Sequence, residues 1–315
     1  MTARSAIARI VRGWNTFFFA PFDLRLASAF RMAYAALVLV DLGMMSFDLE
    51  LFFGVDGVMP LDASRAVIDP DSHTVFELLP QSNTVLWTCY VLALLHAFWL
   101  LIGLYPRVQA AGVFFWLLAF HDRNLLLFDG EDQVFRLFAF FLIFLPTHRF
   151  FSVHALERRM RGAPEPERFG TAWALRLFQI QMTLVYFGAA WAKLHGPEWL
   201  DGTALWYVSR LDDSFGRFPL PSAIFDSLPA LRAMTWGTLA FESALPIALW
   251  IPRTRKYAIV AAFVFHLSLD YAMYLFLFHP LMSVGLLTFL ATDAKPSGAP
   301  TTEATTDTAP ETVTA

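Results

Sequence analysis

Charge is what this sequence has least of. Asp, Glu, Lys and Arg make up 16% of its 315 residues, against 57% hydrophobic. A soluble domain needs roughly a quarter charged residues to cover its surface, so much of this exterior is not built to face water. The net charge of -4 leaves no basic field for nucleic acid. A single cysteine, Cys89, excludes an intrachain disulfide, and its apolar surroundings make it a small packed residue. No cleavable signal peptide is recognisable, because the first apolar stretch carries aromatics and no small-residue cleavage site. The two-residue alternation of a membrane β-barrel is also missing.

What is present is a series of continuously apolar runs, at roughly 26–46, 82–105, 107–128, 133–151, 171–194, 232–252, 255–274 and 276–292. Crossing a hydrocarbon core of about 30 Å takes about 20 such residues in a helix, and a helix satisfies its own backbone there. The expected fold is all-α, a multi-pass transmembrane helical bundle of about eight spans with helical outer loops at 47–81 and 195–231. The stretch 255–292 reads as two full spans or as one span plus a re-entrant segment, with its break between Asp270 and Pro280. Residues 1–20 read as an interfacial amphipathic helix, with Arg4, Arg9 and Arg12 beside Ile7, Ile10, Val11 and Trp14. The transmembrane domain occupies 21–292. Residues 293–315, rich in Thr, Ala, Pro and acidic groups, form a tail expected to be disordered.

Loop charge orients the bundle. With the N-terminus inside, the inner loops hold Arg107, then Arg149, Arg158, Arg159, Arg161 and Arg168, then Arg253, Arg255 and Lys256. The outer loops are acidic, with Asp48, Glu50, Asp56, Asp62, Asp69, Asp71 and Glu77 in the first and Glu198, Asp201, Asp212 and Asp213 in the second. Both termini are then expected to be cytoplasmic.

Ionisable groups at membrane depth cost at least a few kcal/mol each, so each one needs a reason. Arg31 and Asp41 share the first span but lie about 15 Å apart along it. Arg31 reads as a snorkelling side chain or as one half of an interhelical ion pair. Asp132 and Arg136 are spaced i, i+4, which suits an ion pair on one helix face. Asp129, Glu131 and Asp132 gather where that helix begins, either as plain N-caps or as a polar pocket wall. In the fifth span Gln179, Gln181 and Tyr186 precede Lys193 and His195. A lysine at a span's end is commonly an interfacial anchor, but a desolvated one loses proton affinity and can serve as a base. His266 and Asp270 are again i, i+4, so the carboxylate could orient the imidazole. Glu242 lies in the sixth span, one turn before Pro246, where a helix is expected to kink. A metal needs three or four convergent ligands, and no local spacing supplies them; no metal is expected.

The block QIQMTLVYFGAAWAKLHGPEWLDG (179–202) resembles part of the vitamin K-dependent gamma-glutamyl carboxylase. More broadly, residues 14–292 resemble the bacterial horizontally transferred transmembrane (HTTM) domain family, which shares the membrane part of that enzyme. RNLLLFDGEDQVFRLFAFFLIFLP, FRMAYAALVLVDL and FHLSLDYAMYLFLFHPLMSVGLL carry the same likeness in the same order. The resemblance implies that Gln181, Tyr186, Lys193, Trp199 and Gly202 match the central block. It also implies that Lys193 is the base that deprotonates a reduced, vitamin K-like quinone, on the non-cytoplasmic side of a bacterial cytoplasmic membrane. Two features depart from the carboxylase. Gly130-Glu131-Asp132 stands where that enzyme has an Asn-His pair, and a disordered tail is expected in place of its large extramembrane domain, so carboxylation of a docked protein is not expected.

Two functional readings follow. In the first the chain is a membrane enzyme acting on a lipid-soluble substrate. Lys193, Glu131, Asp132, His266 and Asp270 form its catalytic set, and Arg136, Gln181, Tyr186, His195, Trp199 and Glu242 contact substrate. In the second it is a non-catalytic membrane component that binds a lipid or a membrane protein partner. A transporter ranks below both, since no matched pair of broken helices marks inverted repeats.

Overall fold

The computed structural model describes residues 3–67, 73–127, 129–211 and 216–292. The expected disordered tail at 293–315 and the acidic loop residues Asp69, Asp71, Asp212 and Asp213 lie outside the described residues.

The chain is all-helical apart from one short ribbon. Helix α1 (Ala3–Phe19) is largely exposed and carries Ile7, Ile10, Val11 and Trp14 on its open surface. Strand β1 (Pro21–Asp23) then leads into α2 (Leu24–Met45). The segment after α2 contains α3 (Leu49–Phe53), α4 (Leu61–Val67) and a 3-10 turn at Val75–Leu78. Next come α5 (Asn83–Ile102), α6 (Pro106–Arg123), α7 (Gly130–Leu142) and α8 (Val153–Met160). Strand β2 (Phe169–Thr171) precedes α9 (Trp173–Leu194). The segment after α9 holds α10 (Pro197–Leu200), α11 (Ala204–Val208) and α12 (Ser222–Phe225). The chain closes with α13 (Leu228–Trp250), α14 (Pro252–Ala272) and α15 (Phe278–Leu287), whose end tightens into a 3-10 turn at Thr288–Thr292.

A helix therefore occupies every apolar run, but the runs and the helices differ in length. Two helices, Leu24–Met45 and Asn83–Ile102, are long and apolar enough by themselves to cross a membrane. Helix α7 has 13 residues where the apolar run has 19. At 1.5 Å per residue it covers about 20 Å, short of a full hydrocarbon core. Residues 255–292 form two helices, the second only 10 residues long.

Local chemistry sets these boundaries. Asp23 accepts the Arg25 N–H at 2.9 Å to start α2, and Ser82 accepts the Val85 N–H at 3.2 Å to start α5. Gly103, at φ 73°, ends α5 in the left-handed conformation that a helix C-terminus favours. Asp129 and Asp132 form a reciprocal capping box at the start of α7. Pro106 and Pro252 stand in the first turns of their helices, where a missing N–H costs nothing.

Aromatic packing holds the middle of the bundle. Phe30 of α2, Phe138 of α7 and Phe178 of α9 meet at ring distances of 4.8–5.5 Å, and all are buried. Tyr34 joins them and spends its hydroxyl on the Phe135 carbonyl, at 2.8 Å. Strand β1 pairs antiparallel with β2, and Arg168 grips the buried Asp23 carboxylate at 2.7 and 2.8 Å. That clamp ties the start of α2 to the start of α9.

Candidate functional site

On α9, Met182, Tyr186 and Ala190 are buried along one stripe. Lys193 follows Tyr186 by seven residues, which returns it to the same face about 10 Å further along. Helix α13 runs against that face: Trp250 donates its indole N–H to Thr183 at 2.9 Å. Ten residues on from Thr183, Lys193 meets Glu242, eight residues before Trp250. The Lys193 Nζ lies 2.6 Å from Glu242 Oε2, with both side chains mostly buried. Trp199 covers the ammonium, with its ring centroid 5.2 Å from Nζ. Pro246 lies inside α13, four residues after Glu242. Lacking an N–H, it leaves the Glu242 carbonyl without its helical donor, so the pair sits beside a backbone acceptor as well.

Helix α14 adds a further contact to α9. The Tyr186 hydroxyl and His266 Nε2 are 2.7 Å apart, and both residues are buried. His266 was expected to pair with Asp270, one turn ahead. Instead Asp270 holds Arg217, from the loop between α9 and α13. The loop reaches it because Gly216 bridges to Met273 at the end of α14. The Arg217 guanidinium also lies 5.4 Å from the Phe218 ring and 5.8 Å from the Tyr274 ring. An imidazole facing inward and a carboxylate facing a loop took different partners, and a spacing rule along one helix cannot foresee that.

Several buried polar atoms in this region have no hydrogen-bond partner among the described residues: His266 Nδ1, Asp270 Oδ1, His279 Nδ1 and Ser283 Oγ. His279 is within electrostatic reach of both His266 and Asp270, and Ser283 lies one turn beyond it on α15. Native interiors leave few such atoms, and each calls for an explanation.

The acidic start of α7 does other work. Glu131 Oε2 accepts the Leu277 N–H at 3.3 Å, immediately before α15, so this carboxylate caps a neighbouring helix. Asp132 Oδ1 lies 3.2 Å from His121 Nε2. Arg136 donates to His121 Nδ1 at 3.0 Å and to Asp122 Oδ1 at 2.8 Å. Because arginine only donates, the neutral His121 ring keeps its proton on Nε2, facing Asp132. The intrahelical Asp132–Arg136 pair expected from spacing is thus widened into a network across α6 and α7. Asp41, Asp48, His121, Asn124 and Asp132 border a cavity of about 240 Å³ beside it.

The remaining expected residues fall outside these groups. Gln181 is half-buried and makes no hydrogen bond among the described residues, and helical geometry turns it away from the Tyr186–Lys193 stripe. His195 is exposed and folds back on its own helix, with Nδ1 2.8 Å from the Trp191 carbonyl oxygen. Arg31 neither snorkels nor pairs with a carboxylate: it is fully buried and donates to the Phe151 carbonyl. No group of three or more His, Cys, Asp or Glu side chains able to hold a metal converges among the described residues. Arg217 and Ser283 were not anticipated. A loop arginine and a lone serine carry no sequence signal until the chain is folded.

The HTTM domain matches residues 19–293. A relative from Bacillus subtilis (strain 168), the uncharacterized protein YitO, is 27% identical over 192 residues, which is 58% of this chain and 59% of that protein. The chain thus spans about three-fifths of the length of the relative it matches. No solved structure matches it. The family match runs from the end of α1 through every later helix, and its apolar helices include two that can span a bilayer; the chain is a membrane protein that belongs to the HTTM domain family.

Proposed function

We propose that this chain is a membrane enzyme, related to the vitamin K-dependent carboxylases, that removes a proton from a quinone-like or other lipid-soluble substrate, with Lys193 as the base. In this reading the eight long or apolar helices, α2, α5, α6, α7, α9, α13, α14 and α15, cross a bacterial cytoplasmic membrane. Both termini are cytoplasmic, and Lys193 works from the non-cytoplasmic side. The organisation is an interfacial helix at 1–20, a transmembrane domain at 21–292 and a tail at 293–315.

The observation that carries the proposal is the 2.6 Å contact between Lys193 and Glu242. A carboxylate there can take the lysine's proton and leave a free amine. The amine then accepts a proton from a substrate hydroxyl, and Glu242 passes the proton it holds to water, which restores the ammonium–carboxylate pair beside the substrate oxyanion. Tyr186 and His266 sit on the same face and orient the substrate's oxygens, and His266 Nδ1 and His279 Nδ1 remain free for it. A donor and acceptor set of this kind fits the paired oxygens of a reduced quinone. Glu131 and Asp132 act as positioning residues, holding α15 and His121 in place. Protein carboxylation is not part of the proposal, given Gly130-Glu131-Asp132 at the start of α7.

A second reading has its own support. The same ion pair fastens α9 to α13, and that alone would serve a non-catalytic component that binds a lipid or a membrane protein partner. The test is the full chain in phospholipid nanodiscs, supplied with vitamin K hydroquinone and oxygen. Catalysis predicts consumption of the hydroquinone that Lys193→Ala lowers by about 10²–10⁴-fold, the range for loss of a general base. No consumption by folded protein rejects the enzyme reading for this substrate and leaves the ion pair as a structural tie.

A further inference from the structure

At the opposite end of the bundle, three arginines face one concave surface. Arg107 opens α6, Arg149 lies in the connection after α7, and Arg158 is on α8. With His148, His154 and Tyr105 they border a pocket of about 840 Å³. The acidic group on its rim is Glu167, which is highly exposed and reaches Arg149 only at 3.5 Å. Exposed pairs of that length contribute little. Arg107 has no ion-pair partner among the described residues, and Arg158 donates to the Arg149 carbonyl at 3.3 Å, which leaves its charge uncompensated. His148 lies outside the helices, and its imidazole is held below its ordinary proton affinity by partial burial and by Arg149, Arg107, His154 and Arg158. These cations therefore converge on one another.

Two further observations point outward from the protein. A second pocket, of about 510 Å³, shares Arg149, Arg158 and Pro166 with the first and is lined by Met32, Ile102, Phe150, Phe151, Val153 and Leu156. Several of those apolar side chains are exposed, Phe151 at 54% and Leu156 at 59%. Behind Phe151 sits Arg31, fully buried, with Nε and Nη1 lacking any hydrogen-bond partner and no carboxylate paired with it among the described residues. A buried charge left uncompensated is expensive, and a nearby anion lowers that cost. The only non-glycine residues with positive φ among the described residues, Tyr105 and Phe151, also border these two pockets.

We infer that this paired basic and apolar pocket, on the face that loop charge marks as cytoplasmic, binds an anionic phospholipid, its phosphate held by Arg107, Arg149 and Arg158 and an acyl chain lying against Phe151 and Leu156. Basic pockets beside transmembrane helices on that side suit anionic headgroups. A free phosphate has the charge but no use for the apolar half, which is why the lipid is chosen.

The test measures binding of phosphatidylglycerol to the detergent-purified full chain by native mass spectrometry, with phosphatidylcholine and inorganic phosphate as comparison ligands. Phosphatidylglycerol is expected to bind in preference to phosphatidylcholine. Each arginine, at about 1 kcal/mol near a surface, should account for about fivefold in affinity, so Arg149→Gln with Arg158→Gln should weaken binding about 25-fold. Arg253→Gln with Lys256→Gln, on the same face but outside the pocket, should change it little. Thermal unfolding without lipid reports whether the variants fold. If the double variant does not, Arg107→Gln, an exposed position, carries the test with an expected fivefold loss. Equal loss in the Arg253/Lys256 control, or unchanged binding in the folded pocket variant, overturns the site. Displacement by inorganic phosphate as effective as by phosphatidylglycerol overturns the lipid and leaves a phosphate site.

Discussion

The two polar regions of this protein handle charge in opposite ways. In the Lys193 region most groups are at least half-buried and matched: an ammonium against a carboxylate, a phenol against an imidazole, and the exposed Arg217 guanidinium against Asp270. At the opposite end of the bundle, arginines crowd together with little acidic company, and Arg31 is sealed beneath them without a counter-ion among the described residues. The cause is the surroundings of each. Between helices, a charge that finds no partner within the chain is prohibitive, so partners come from within. At the membrane surface, headgroups and water can supply what the chain does not. Matched groups inside a bundle suit chemistry or cohesion, and unmatched ones at its rim suit capture of something from outside.

Five substitutions, at three places, would break or sharpen that contrast. The largest effect is expected at the internal pair. Lys193→Met alone strands Glu242 in the interior and should lower stability by about 3 kcal/mol or more, read as thermal unfolding in detergent. Adding Glu242→Leu should restore most of it, because an apolar pair can replace a buried ionic one. If the double variant is no more stable than the single, the two side chains are not coupled. The cycle also separates tie from catalyst, since the double variant regains stability but no activity.

At the opposite end of the bundle, a Cβ on Gly103 would run into the Arg31 guanidinium and the Ser152 side chain, and φ is 73° there. Gly103→Ala should therefore cost about 2 kcal/mol. Adding Arg31→Met should return part of that cost if the guanidinium is what the methyl meets, and none of it if backbone strain is the whole effect. The smallest effect is expected at Tyr186→Phe, which leaves His266 Nε2 without its partner and should cost about 1 kcal/mol. A change near zero would mean that the imidazole finds another partner when the hydroxyl is lost.

Much of the candidate site could be read in the sequence as a set of residues, far less as a set of pairs. The seven-residue interval between Tyr186 and Lys193 places them on one face by helical geometry alone. The i, i+4 intervals at 132/136 and 266/270 were equally regular, yet neither foretold the partners these side chains take from other elements. Asp132 and Arg136 recruited His121 and Asp122 from α6, and His266 and Asp270 found Tyr186 and Arg217. Spacing states which neighbours a side chain can reach on its own helix. It does not say whether another helix offers a better one, and these partners lie 11 to 80 residues away in sequence. Glu131 is a similar case: an acidic residue at a helix start is expected to cap that helix, but its carboxylate also caps α15, 146 residues on.

By itself, then, the sequence determined that this is a helical membrane protein, where its helices fall, and which ionisable residues would have to be explained. Continuous apolarity and period 3.6 are local properties, written into any stretch of about 20 residues. Tertiary structure alone decided that Lys193 answers to Glu242, that Asp270 faces a loop, and that Arg31 lies buried below a basic pocket. Those outcomes depend on which helix faces which and at what height, and only the folded bundle carries that information.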